Sequence, residues 1–268
     1  MKSNHILRQE IKNKTALEAK TLKLYPDHLI DPVILSIDKT NMISNHHQHR
    51  FNMNMIVCKI GVPFGIYSRL IIAYFTHFEK FKYNDEILAE YRVARSTREL
   101  FKKITGGKIT TEMQQAFTEQ LSRVNNTYFS NKYTKKSNYF TKLIGHLEKR
   151  GREYYYTPIG IYADPLIKYT PIDIRVLQLC RLERQKFVPD LYIYLTKKLK
   201  YLKNEKIELD LHLMKDQILH IHANKSLAQF KNELKNALIF LEEIFPELKF
   251  KMENDLIILN KCILLPSK

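Results

Sequence analysis

The 268-residue sequence predicts an α+β fold in two tandem domains, and three observations predict it. Apolar residues make up 44% of the chain, enough to bury two cores of ordinary domain size. Segments with helical spacing are interleaved with short segments of strict apolar–polar alternation. One outline, helices followed by two strands around a polar turn, occurs twice.

Residues 1–50 are polar, with a weak helical pattern over 6–24 and breaks at Pro26 and Pro32. The cluster His46, His47, His49, Arg50 has the character of a solvated segment, so a polar N-terminal arm is expected. Alternation begins over 51–57. The turn Gly61-Val62-Pro63-Phe64-Gly65 then leads into an apolar helix near 66–81. Two more helices, near 93–105 and 110–125, flank Gly106-Gly107. Residues 128–134 and 139–147 read as strands around the basic turn Lys135-Lys136-Ser137, and 152–157 can add another. Helices followed by a basic hairpin outline a winged helix.

The second half repeats that outline. Thr170 can N-cap a helix to about 184, with Pro171 at its first position, where the missing N–H costs nothing. The next helix starts near Val188, with Pro189 and Asp190 in its first turn, and ends near 202. A short strand over 206–209 precedes a short helix capped by Asp210. Ser226 caps a long helix to about 244, stopped by Pro246. Strands over 248–252 and 256–260 close the unit around Glu253-Asn254-Asp255. This is winged-helix order with a helix-turn-helix in its middle. The expected layout is an arm over 1–50, a first winged-helix domain over 51–165 and a second over 166–268.

Charge points to the partner. Lys and Arg number 44 against 28 Asp and Glu, an excess of +16 that suits a polyanion, either nucleic acid or an anionic membrane surface. The excess is +3 over 1–50, +8 over 51–165 and +5 over 166–268, so a broad footprint is expected rather than a basic tail. No stretch approaches the ~20 apolar residues of a membrane span, and the start has no signal-peptide core, so no membrane role is expected. Cys58, Cys180 and Cys262 are too far apart for a metal knuckle, and their odd number argues against a disulfide framework. A cytoplasmic setting is expected.

The segment HRFNMNMIVCKIGVPFGIYSRLIIAYFTHF resembles the plasmid-encoded RepA family of replication initiators. Members of that family carry a phrase of the type G-[LV]-P-[YF]-G-x-x-x-R-L, here Gly61, Val62, Pro63, Phe64, Gly65, Arg69 and Leu70. RSTRELFKKITGGKIT, TPIDIRVLQLC, VPDLYIYLTKKL and LIILNKCILLPS resemble later family segments, so the likeness covers roughly 46–266, discontinuously. Ser68 stands where the family has proline and Tyr74 where it has tryptophan. The resemblance implies binding to repeated double-stranded origin sites, opening of nearby DNA, and recruitment of host replication proteins (a helicase or host initiator). It leaves monomer or homodimer open.

The candidate DNA reader is the helix that Ser226 caps. Leu227, Phe230, Leu234, Leu238 and Leu241 follow core spacing, while Lys225, Gln229, Asn232, Lys235 and Asn236 fall on the other side. Asn and Gln pair bidentately with adenine edges, and Lys serves guanine or phosphate. In the first domain Thr111, Gln114, Gln115 and Thr118 occupy the equivalent helix, with Met113, Phe117 and Leu121 inward. Either partial base contact or plain packing fits that helix. Lys132, Lys135, Lys136, Arg150 and Arg152, on and after the first hairpin, suit phosphate contacts, where point charges bind without reading sequence. Each of these groups also fits an ordinary solvated face.

His220-Ile221-His222 has the His-hydrophobe-His form of tyrosine-dependent nicking endonucleases, a rival reading that needs an upstream tyrosine such as Tyr154. Two histidines alone seldom hold a metal, and the pair falls at the expected helix-turn-helix turn. Gly106-Gly107-Lys108 lacks the spacing of a phosphate-binding loop. No catalytic residue, metal or cofactor is expected. A winged-helix transcriptional repressor is the second rival.

Overall fold

Leu7 and Ile11 stand one helical turn apart, and in the computed structural model they form the buried side of a helix, Asn4–Lys12 (α1). The structure describes residues 4–12, 22–26, 47–51, 54–58, 60, 63–82, 89–130, 140–158, 169–200, 202, 205–218 and 226–264. They form a mixed α+β chain with small antiparallel sheets, and the chain divides into two units. The first unit spans 38–168, and the second joins 2–37 to 169–268. After α1 the chain forms a strand, Leu22–Pro26 (β1), before entering the first unit.

The first unit runs His47–Phe51 (β2), Asn54–Cys58 (β3), Gly65–Lys82 (α2), Tyr91–Ala94 (β4), Thr97–Thr105 (α3), Thr111–Asn125 (α4), Thr127–Ser130 (β5), Phe140–Lys142 (β6), His146–Arg150 (β7) and Glu153–Thr157 (β8). Its strands make two sheets, of order β2-β3-β5-β6 and β4-β8-β7. Leu70, Ile71, Ile72 and Phe75 of α2, Phe101 of α3 and Phe117 of α4 are all but inaccessible, and the Phe101 and Phe117 rings meet edge-on at 5.2 Å. Ser96 caps α3 by accepting the N–H of Glu99, and Gly106 ends it with a left-handed φ of 69°.

Two expectations change here. Residues 91–94 are a strand rather than the start of α3, because Tyr91 and Ala94 pair with Tyr156 and Tyr154 of β8. The stretch 139–147 is two strands in two sheets. Leu143 and Ile144 are buried between them, and the Gly145 N–H donates to the Tyr156 hydroxyl at 2.7 Å, so the chain crosses there from one sheet to the other. The hairpin joined to β4 is therefore β7–β8, turning at Gly151 (φ 60°) and Arg152.

The second unit continues with Tyr169–Asp173 (β9), Ile174–Leu182 (α5), Val188–Lys200 (α6), Lys206–Asp210 (β10), Leu211–Ile218 (α7), Leu227–Ile244 (α8), Phe250–Glu253 (β11) and Leu256–Asn260 (β12). Pro171 does not open a helix. It lies in β9 opposite Leu24 of β1, in a two-stranded sheet where a missing N–H is tolerated, and Asp173 caps α5 instead. Where a polar arm over 1–50 is expected, residues 4–12 and 22–26 are folded into the second unit. β1 pairs with β9, and α1 packs on α5 and α8, with the Arg8 Nε donating to Glu183 at 2.8 Å and the Arg8 guanidinium 4.8 Å from the Phe240 ring centre.

Both units contain one shared order: helix, strand, helix, helix, strand, strand. In the first it is α2-β4-α3-α4-β7-β8, with β5 and β6 interposed, and in the second α6-β10-α7-α8-β11-β12. In each three-stranded sheet the last strand lies in the middle, β4-β8-β7 and β10-β12-β11.

Candidate nucleic-acid interface

Helix α8 is set by its cap. The Ser226 hydroxyl accepts the Gln229 N–H at 3.2 Å, and the Ser226 N–H donates to Gln229 Oε1 at 3.2 Å, a reciprocal capping box. Phe230, Leu234, Leu238 and Leu241 are buried and Leu227 is half-buried. Asn232, Lys235 and Asn236 are exposed on the other side. Gln229 is also exposed, but its amide oxygen is committed to the cap. Bidentate adenine pairing needs that oxygen together with the amide N–H, and in this structure the oxygen is engaged at the helix end. Lys225 lies outside the described residues.

In α4 the Thr110 hydroxyl accepts the Met113 N–H at 3.3 Å. Phe117, Gln120, Leu121 and Val124 are buried, and Met113 is only half-buried. Thr111, Gln114 and Gln115 are exposed together on the first turns. The Thr118 hydroxyl is turned onto its own helix, 2.8 Å from the Gln114 carbonyl and 3.0 Å from that of Gln115, so it is not a free donor. Buried Gln120, which the sequence reading passed over, accepts the Phe64 N–H at 2.8 Å. Arg69, the arginine of the family-like phrase, is 1% exposed and donates to the Gly65 carbonyl at 2.7 Å, so it builds the turn.

The β7–β8 hairpin separates its cations by face. Tyr154 and Tyr156 point toward the helices, as does Leu147, while Glu153, Tyr155, Glu148 and Arg150 point away. The Arg150 guanidinium grips Glu90 with two hydrogen bonds of 2.7 and 2.8 Å, reaches Glu148 at 2.7 Å and covers the Tyr155 ring. Arg92 on the same face pairs with Glu153 at 3.0 Å. That face is self-neutralised, and Arg150, expected at phosphate, is held within it. Arg152 at the turn is exposed, with no hydrogen bond or ion pair among the described residues. Lys132, Lys135 and Lys136 lie outside the described residues, between β5 and β6 of the other sheet.

The matching hairpin of the second unit has the opposite charge. Its end is Glu253, Asn254 (φ 52°) and Asp255, all exposed. Lys231 of α8 donates to the Asn254 carbonyl, the Leu211 N–H donates to the Asp255 carbonyl at 2.9 Å, and His212 stands 3.8 Å from the Asp255 carboxylate. Among the described residues no three His, Cys, Asp or Glu side chains come together as metal ligands, and no helix is long and apolar enough to cross a membrane. His220 and His222 lie outside the described residues.

No family model matches the sequence, and no curated protein matches it. Two solved structures, both of domains 2 and 3 of RctB, are similar to this chain. One, of selenomethionine derivatives, is 10% identical with a TM-score of 0.47, covering 92% of this chain and 99% of that one. The other is 12% identical with a TM-score of 0.43, covering 85% and 95%.

Proposed function

We propose that this chain is a replication initiator that binds specific repeated double-stranded DNA at a plasmid origin, through two winged-helix units. The observation that carries the reading is α8: a capped helix with a buried apolar stripe and an exposed row of Asn232, Lys235 and Asn236, following α7 in helix-turn-helix order. Amides and a lysine in a row suit base edges in the major groove. The excess of +16 charges supplies the sequence-independent attraction. The RepA-like phrases over 61–70 and later favour an initiator among DNA-binding proteins, and with it opening of the origin and recruitment of host replication proteins.

In this reading the protein acts by binding and not by chemistry. Footprinting on the DNA flanking its own gene tests it: protected repeats are expected, and uniform cleavage across that DNA overturns it. A nicking assay on supercoiled origin plasmid with magnesium or manganese is expected to leave the plasmid closed. Maintenance of that plasmid only when the protein is supplied separates an initiator from a repressor.

A further inference from the structure

Ion pairing sorts the described cations of the first unit into two groups. Arg92, Lys103, Arg123 and Arg150 are paired, with Glu153, Glu99, Glu119 and Glu90 plus Glu148 respectively. Arg95, Arg98, Lys102, Lys108, Lys149 and Arg152 are exposed, and no side-chain hydrogen bond or ion pair holds them. Apart from Lys108, which follows the Gly106-Gly107 end of α3, the second group is linked by the fold.

Arg98 and Lys102 are one turn apart on α3. Phe101, beside Lys102, packs on Phe117 of α4, while Lys103 on the opposite flank donates to the Val93 carbonyl of β4 at 2.7 Å. Arg98 and Lys102 therefore line the flank of α3 next to α4. Lys149 pairs with Tyr154 across the hairpin, its ammonium 5.8 Å from that ring, and the Tyr154 hydroxyl is 2.9 Å from the Thr97 hydroxyl at the start of α3. Ala94 pairs with Tyr154 as well, so Arg95 follows at the same end of the sheet where Arg152 makes the turn. The register gathers Arg95, Lys149 and Arg152 at the hairpin end, and the Thr97–Tyr154 contact joins the start of α3, one residue before Arg98, to that end.

We infer that the α4-side flank of α3 and the end of the β7–β8 hairpin form a single phosphate-gripping surface for double-stranded DNA, built from Arg95, Arg98, Lys102, Lys149 and Arg152. This rests on the DNA-binding reading above and adds Arg95, Arg98, Lys102 and Lys149 to Arg152, which the sequence already suggested for phosphate. Unpaired cations lose no protein partner when they meet phosphate, whereas Arg150 and Arg92 would have to leave a carboxylate. An anionic membrane is the poorer partner, because of this unit's described residues only Ile60 is a large exposed hydrophobic, too little for interfacial insertion. The acidic end of the β11–β12 hairpin offers the second unit no equivalent.

The test compares two triple variants that each remove three positive charges: Arg98→Ala/Lys102→Ala/Arg152→Ala, and Arg92→Ala/Lys249→Ala/Lys261→Ala. Binding of a random-sequence duplex is followed by fluorescence anisotropy across salt, with circular dichroism melting to confirm folding. The first triple is expected to lower the log–log salt slope by about 2 to 3 and affinity by about tenfold or more, with the second near wild type. A folded first triple that keeps the wild-type slope overturns this surface while leaving DNA binding intact. Equal losses in both triples mean net charge alone acts, which also overturns it. A wild-type slope near zero sinks the DNA-binding reading itself. Tighter wild-type binding to phosphatidylserine–phosphatidylcholine vesicles than to duplex, lost in the first triple, transfers the surface to membranes and overturns the inference.

Discussion

The backbone N–H of Phe64 donates to Gln120 Oε1 over 2.8 Å, fastening the turn ahead of α2 to the middle of α4. Arg123 of α4 adds to the fastening, its guanidinium 5.2 Å from the centre of the Phe64 ring. Arg69 completes the turn from inside, bonded to the Gly65 carbonyl. Residues 63–70 thus form a structural turn held against α4.

Replacing Gln120 follows directly from this. Gln120→Ala leaves the Phe64 N–H without its acceptor at a part-buried site and is expected to cost about 1–3 kcal/mol of stability. Urea unfolding checks this. If the Gln120→Ala midpoint equals that of wild type, water replaces the bond and the fastening is unimportant.

What could be read from the sequence was local. Ser226 as a cap, the Phe230–Leu234–Leu238–Leu241 stripe and Asp210 as the cap of α7, accepting the Leu213 N–H at 2.9 Å, are signals contained within one or two turns. What could not be read depends on distant partners. Pro171 fits a helix start in isolation, and only β1, about 150 residues earlier, makes it a strand residue. Arg150 reads as a free cation until Glu90, 60 residues away, closes on it. Arg98 and Lys102 are not singled out from the sequence, because their i, i+4 spacing fits any solvated helix face and only the packing of Phe101 shows which flank they line.

The docked N-terminus gives a second prediction. Ile11 is 1% exposed, buried where α1 meets α5 and α8. Ile11→Ala is expected to destabilise the second unit by about 2–5 kcal/mol through the cavity it leaves. Hydrogen exchange resolves the two units: faster exchange is expected in α5 and α8, with the first unit unchanged. Unaltered exchange in α8 would mean that residues 4–12 do not contribute to the fold.

Cys180 and Cys262 make stability depend on pH. Burial pushes the Cys262 thiol up to about 11, helped by the negative charge of Glu247. Burial also raises the Cys180 thiol, with Glu183 and Asp190 adding to it. A thiol harder to ionise when folded adds stability below its unfolded pKa of about 8.5, and that stability is lost as pH rises toward the folded value. Iodoacetamide at pH 8 should therefore label both residues far more slowly than the unfolded chain, with protection at Cys262 eroding toward pH 11. Labelling of native Cys180 at the unfolded rate would contradict its burial.

The sharpest prediction separates two amides three residues apart on α8. Gln229 and Asn232 look alike in sequence, yet Gln229 closes the capping box and Asn232 is exposed beyond it. Gln229→Ala should loosen the start of α8 and cost about 0.5–1 kcal/mol of stability, at the lower end of what helix caps contribute. Asn232→Ala should leave the melting temperature unchanged and cost about 1–3 kcal/mol on the specific DNA site, with little effect on random DNA. Leu234→Ala, on the buried side, should cost about 2–5 kcal/mol of stability. Melting and binding measured together on the three variants sort cap, reader and core. If Asn232→Ala binds the origin repeats as tightly as wild type, α8 is not the reader, and α4 with Gln114 and Gln115 takes its place.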